Sequence, residues 1–139
     1  MQVLVDTSVW SLALRRRHSP PRDAHLVAAL TDLIGDCRVA LIGPIRQEVL
    51  SGISDGDTFE RLQERLAIFP DEPIRPQEYV NAVLFANVCR RHGVQGSATD
   101  FLICAVAANH TWPILTTDRD FARFAKHIPI TLYRPAKNA

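Results

Sequence analysis

The chain has 139 residues, of which 47% are hydrophobic and 22% charged, with 16 basic against 15 acidic side chains and a net charge of +1. That length and apolar content fit one domain, residues 1–139, around a single core, and the balanced charge excludes a polybasic arm or a disordered acidic tail. No apolar run reaches the roughly 18 residues that a membrane span needs, and the opening QVLVD lacks the basic and long apolar segments of a signal peptide, so a cytoplasmic protein is expected.

Residues 2–5 form a short, β-branched apolar run that predicts a fully buried strand. It stops at Asp6, and TSVWSLALRR then predicts a helix with Thr7 or Ser8 as its cap. A second helix is expected over 22–36, with Leu26, Ala29, Leu30 and Leu33 at helical spacing and Gly35 near its end. RVALI (38–42) is another short strand, and GPIRQEVLSGI starts a helix with Pro44 in its first turn, where a missing N–H costs nothing. DTFERLQERLAIF is amphipathic, its stripe of Phe59, Leu62, Leu66 and Phe69 suited to a core or to a partner's groove. Pro70, Pro73 and Pro76 break the chain around DEPI, which leaves room for a short strand there. A helix from Pro76 to Gly93, a very apolar helix capped by Ser97, a strand over WPILTT, a short helix over 118–127 and a last strand over ITLYRP complete the chain.

Strands that alternate with helices imply an α/β fold: a three-layer α/β/α sandwich with a central, mostly parallel sheet. Ligands of such sheets bind beyond the carboxyl ends of the strands, which is where Asp6 falls. Glu48 lies one turn into the helix after the 38–42 strand, Asp100 in the first turn of the helix after Ser97, and Asp118 directly after PILTT, with Asp120 two residues on. Each alone has an ordinary reading: Asp6 or Asp118 as a helix cap, Glu48 as a solvent-facing glutamate, Asp100 as half of an S-x-x-D capping pair. Jointly those readings are poor, because few folds need an acid at several strand ends along one edge.

Two carboxylates about 5 Å apart repel by roughly 3 kcal/mol at an effective dielectric of about 20. A hard divalent cation removes that cost. Oxygen donors favour Mg²⁺ or Mn²⁺ over zinc, since the five histidines are scattered and Cys37, Cys89 and Cys104 form no C-x-x-C pair. The odd, unpaired cysteines are expected to be reduced and mostly buried. An acidic cleft loaded with such an ion suits phosphodiester hydrolysis.

VLVDTSVW, IRQEVLSG, SATDFLICAVA and ILTTDRDF resemble the four acidic motifs of PIN-domain ribonucleases, with the nearest likeness to VapC-type toxins of type II toxin–antitoxin systems, from Met1 to about Arg134. The resemblance implies that Asp6, Glu48, Asp100 and Asp118 are the catalytic, metal-binding acids of a Mg²⁺- or Mn²⁺-dependent endoribonuclease. Asp118 stands where many relatives carry Asn or Asp, and Asp120 fits a cap better than a ligand. It also implies a PIN-like fold, an RNA substrate, a cognate VapB-type antitoxin, and a homodimer or a hetero-oligomer with that antitoxin. Thr7 and Thr117 match small hydroxyl positions that orient the acids or cap helices.

RNA binding calls for cations beside a repulsive acidic pocket. The basic clusters are RRRH (15–18) and RRH (90–92), each at an expected helix end where complementing the helix dipole is the simpler role. Arg46 and Arg119 stand near acids and suit either a phosphate or those acids. Trp10 lies in an apolar helix and suits packing; Trp112 is free to stack on a base. Three other readings compete. A haloacid-dehalogenase-like phosphatase wants a second Asp two residues after the first, where this chain has Ser8. A DNase relative wants DNA-clamping helices that a chain of this length lacks. A non-catalytic PIN-like module that binds RNA or protein would be marked by loss of one of the four acids, and all four are present.

Overall fold

The computed structural model describes residues 1–14 and 21–135; the basic run at 15–18 lies outside them. Strand β1 (Val3–Val5) is completely buried and lies at the centre of a parallel sheet. It pairs on one side with β2 (Val39–Ala40), Val3 opposite Val39, and on the other with β3 (Ile114–Leu115), Val5 opposite Leu115. Single parallel bridges extend the sheet at both edges, from Leu41 to Asp71 and from Ile114 to Leu132. Strands this short and apolar suit a sheet covered on both faces.

The helices are α1 (Thr7–Leu14), α2 (Ala24–Gly35), α3 (Gly43–Leu50), α4 (Gly56–Leu66), α5 (Pro76–Arg91), α6 (Ala98–His110) and α7 (Asp120–Phe124), with a turn of 3₁₀ helix before α2. From β1 the chain steps outward to β2 and the Asp71 edge, then crosses back to β3 and the Leu132 edge. Right-handed crossovers put α1–α4 on one face and α5–α7 on the other. The packing agrees: α1 meets α2 and α3, α3 meets α4, and α5 lies along α6. This is the α/β sandwich expected from the order of elements. The direction of winding reverses between β1 and β3, so a crevice opens at their carboxyl ends.

Seven consecutive residues of α6, Phe101 to Ala107, are buried, so this helix is apolar all round because sheet, α5 and α7 enclose it. Trp10 is core, 1% exposed, with its ring edge-on to Phe69 at 5.3 Å. In the amphipathic stripe of α4 and the turn beyond, Leu62 and Leu66 are buried, Phe69 is partly so, and Phe59 faces outward. Cys89 and Cys104 are buried and Cys37 is exposed; none is bonded to another.

The strands are shorter than their apolar runs. Thr116 and Thr117 leave the ladder because backbone N–H groups there bond to hydroxyls: Thr117 N donates to Ser8 Oγ and Asp118 N to Thr116 Oγ1. The last strand shrinks to the bridge at Leu132, between Pro129 and Pro135, which supply no N–H. The helix expected to run to residue 53 stops at Leu50, ahead of Gly52 at φ +79°. One buried acid was invisible in the sequence. Glu78, 2% exposed, accepts Arg75 N through Oε1, while its Oε2 has no hydrogen bond among the described residues and lies 3.9 Å from His110 Nε2.

Candidate metal and active site

The carboxyl end of β1 delivers Asp6, 5% exposed, into the crevice. Its Oδ2 accepts two hydroxyls, Ser8 Oγ at 2.7 Å and Thr116 Oγ1 at 2.8 Å. Among the described residues no backbone N–H bonds to this side chain, so its partners there are not those of a helix cap. The hydroxyl pair locks the carboxylate of one strand to the end of the next.

Asp118 follows β3 across a two-residue turn. Its Oδ1 accepts Asp120 N at 2.9 Å and opens the short α7. Asp100 comes from the opposite side, in the first turn of α6. Ser97 and Asp100 form a reciprocal box: Asp100 N donates to Ser97 Oγ, and Ser97 N to Asp100 Oδ2, both at 3.1 Å. Burial pushes the Asp100 carboxyl above the usual carboxylate range; the Ser97 bonds oppose this, and the charges of Asp6 and Asp118 add to it. That coupling draws Asp6, Asp100 and Asp118 into one electrostatic neighbourhood. Cys104, one turn below Asp100, has its thiol pushed far up, first by burial and then by Asp100.

Glu48 stands apart. It is exposed on α3 and accepts Thr7 Oγ1 at 2.7 Å, and it is not among the charges that shift Asp100. The four acids still share one arrangement. Each has one oxygen held by the protein, and for each the other oxygen makes no hydrogen bond among the described residues. As they stand, no three His, Cys, Asp or Glu side chains among the described residues are gathered closely enough to hold a metal ion.

Other candidates go elsewhere. Arg46 is bound to Asp71 at 3.0 Å and to the carbonyls of Leu66 and Phe69, so it braces the segment after α4 and does not face a phosphate. Asp120 pairs with Arg123 at 2.8 Å. Arg119 is exposed. Trp112 is half-buried and stacked on His110 at 4.0 Å. Thr7 does orient an acid, Glu48, whereas Thr117 offers only its backbone. The hydroxyls that hold Asp6 belong to Ser8, expected only as a possible helix cap, and to Thr116, which the sequence did not single out. The TT doublet was the available signal, but which threonine turns inward depends on where the strand ends.

A family model for the PIN domain matches residues 3–127. A search of curated proteins gives no match. Among solved structures, the chain is similar to FitAcB from Neisseria gonorrhoeae, with 23% identity, a TM-score of 0.76, and 96% of this chain and 98% of that one covered. It is also similar to FitAB bound to an IR36 DNA fragment, with 24% identity, a TM-score of 0.73, and 95% and 94% covered. With the family model spanning nearly the whole described chain and the same fold in both neighbours, this chain belongs to the PIN domain family.

Proposed function

We propose that the chain is a Mg²⁺- or Mn²⁺-dependent endoribonuclease, a cytoplasmic PIN toxin of the VapC type that hydrolyses phosphodiester bonds of cellular RNA and is neutralised by a cognate VapB-type antitoxin. The observation that carries this reading is the Asp100 carboxyl, raised by burial and by the charges of Asp6 and Asp118. Three acids from three elements at the switch point make a local excess of negative charge that a cation would relieve.

The donor set fits a hard cation. Asp6, Asp100 and Asp118 offer free oxygens, Glu48 is a fourth acid tied through Thr7 to the helix that follows Asp6, and the nearby Cys104 thiol is held protonated by burial. When bound, a divalent ion would supply positive charge to the scissile phosphate and to the attacking water. The chain's own part is orientation. Ser8 and Thr116 fix Asp6, Ser97 fixes Asp100, Asp120 N fixes Asp118 and Thr7 fixes Glu48, so each free oxygen points from a held group. One of these free oxygens takes the proton of the attacking water.

Antitoxin binding and self-association need apolar surface. On α5, Tyr79, Val80, Val83 and Leu84 are each more than half exposed, beside a groove of about 540 Å³ reaching Pro44 and Leu102. That stripe supports a protein contact, either a homodimer or an antitoxin complex.

The test is cleavage of total cellular RNA by antitoxin-free protein, with Mg²⁺, Mn²⁺ or EDTA, beside Asp6→Asn and Asp100→Asn. Metal-dependent cuts should fall at least ~100-fold in both variants. Cleavage that survives in either variant would remove that acid from the mechanism. RNA binding without any cleavage would establish a non-catalytic PIN-like module instead.

A further inference from the structure

Two basic segments that are far apart in sequence meet in the fold. The last turn of α5 carries Arg90 and Arg91, followed by His92; the end of α7 carries Arg123, followed by Lys126 and His127. The rings of His92 and His127 are stacked, with centroids 4.1 Å apart and planes 10° from parallel. Beneath them Phe124 packs on Phe101 at 4.7 Å and covers Gly96, so the loop from α5 to α6 is clamped under α7.

Each cluster alone would only complement its own helix end. Helix C-termini carry about half a negative charge each, and α7 is too short to supply even that. Asp120 neutralises Arg123. Of the four permanent cations, roughly two positive charges therefore remain uncompensated, before either histidine is counted. On the elements packed around the pair, Cys89 is buried with its thiol raised by burial, and Asp100 on α6 is directed to Asp6 and Asp118. All four cations and His92 are exposed, and His127 is half-buried.

The patch and the acidic site share their walls. Four residues separate His92 from Ser97, the cap that holds Asp100, and α7 with its flanking turns joins Asp118 to His127 over on the order of 13 Å at helical rise. A polyanion must pass an acidic crevice that repels it, and cations on the same rim offset that repulsion.

We propose that the joined ends of α5 and α7 are the track that holds the phosphodiester backbone of single-stranded RNA beside the acidic site, with the stacked rings of His92 and His127 holding the two ends together. This rests on the ribonuclease reading for its ligand, but not for its measurement.

Binding of a fluorescein-labelled single-stranded RNA of about 16 nucleotides is measured by anisotropy in EDTA, where metal-dependent cleavage is silent. The proteins are wild type, His92→Gln, His127→Gln, and the double variant Arg91→Gln/Lys126→Gln, each checked for an unchanged melting temperature. Either histidine variant should bind RNA more weakly than wild type, because the stack that joins the two basic ends is lost. The double variant should bind more weakly, with a salt dependence shallower by about 0.7 per cation removed. The proposal falls if the double variant keeps wild-type affinity and salt slope, or if both histidine variants bind RNA as tightly as wild type. It also falls if polyglutamate at equal charge concentration binds as tightly as RNA, which would assign the patch to an acidic protein partner. Wild type that shows the patch behaviour yet never cuts RNA with Mg²⁺ defeats the ribonuclease reading alone; cutting that is indifferent to the patch variants defeats the track alone.

Discussion

Burial, with the charges of Asp6 and Asp118 added, holds the Asp100 carboxyl above its ordinary value, while the Ser97 bonds pull it down. The folded chain therefore binds this proton more tightly than the unfolded chain does. Stability falls as pH rises from the ordinary value of 3.8 through the raised one, and the loss persists above it. Asn keeps a cap acceptor and loses the charge. Asp100→Asn should thus melt higher than wild type by roughly 1–4 °C at neutral pH in EDTA, and the gap should close near pH 4. A variant that melts lower at neutral pH would show that the carboxylate is satisfied where it sits. At this scale the sequence was half legible. Asp6, Asp100 and Asp118 could be picked out as candidates because acids after strands or in first helix turns form a pattern. Ser8 and Thr116 could not, because their role depends on side-chain direction where β1 and β3 end, and a one-residue slip reverses it.

Among the elements, helices were the more readable because their period spans several turns. The 76–93 and 97–110 helices lie within two residues of their expected ends. Strands were less so: a three-residue strand has no period to show, and hydroxyls and prolines decide where its ladder stops. The closest fit between elements lies at Gly96. A Cβ there would stand 2.5 Å from Phe124 Cζ and 3.1 Å from Phe101 Cε2, and both rings are buried. Gly96→Ala must push α7 away from the start of α6. The expected cost is about 1–3 kcal/mol, read as a fall in thermal midpoint with no change in net charge. An unchanged midpoint would mean that α7 rides loosely on the fold.

For the whole molecule, alternating strands and helices made the parallel sheet and its carboxyl edge foreseeable. What stayed hidden were particular contacts between distant segments: the Thr116 hydroxyl on Asp6, the stacked histidines, and the buried Glu78 beside His110. Such pairings follow from the crossover back to β3, which no local pattern encodes. The membrane remains outside the picture only in one respect: no helix among the described residues is long and apolar enough to cross it.

The three cysteines give this architecture a built-in clock. Cys37 lies at the amino end of β2, opposite the acids, and is open to reagents, whereas Cys89 and Cys104 are completely enclosed on α5 and α6. A maleimide added to the native protein should consume one thiol quickly and the other two together and slowly, at the rate at which α5 and α6 part. If all three react at once, the helical back wall breathes freely. If they react in the expected order, a dye on Cys37 marks the molecule without touching its chemistry, and the slow pair records how often the wall opens.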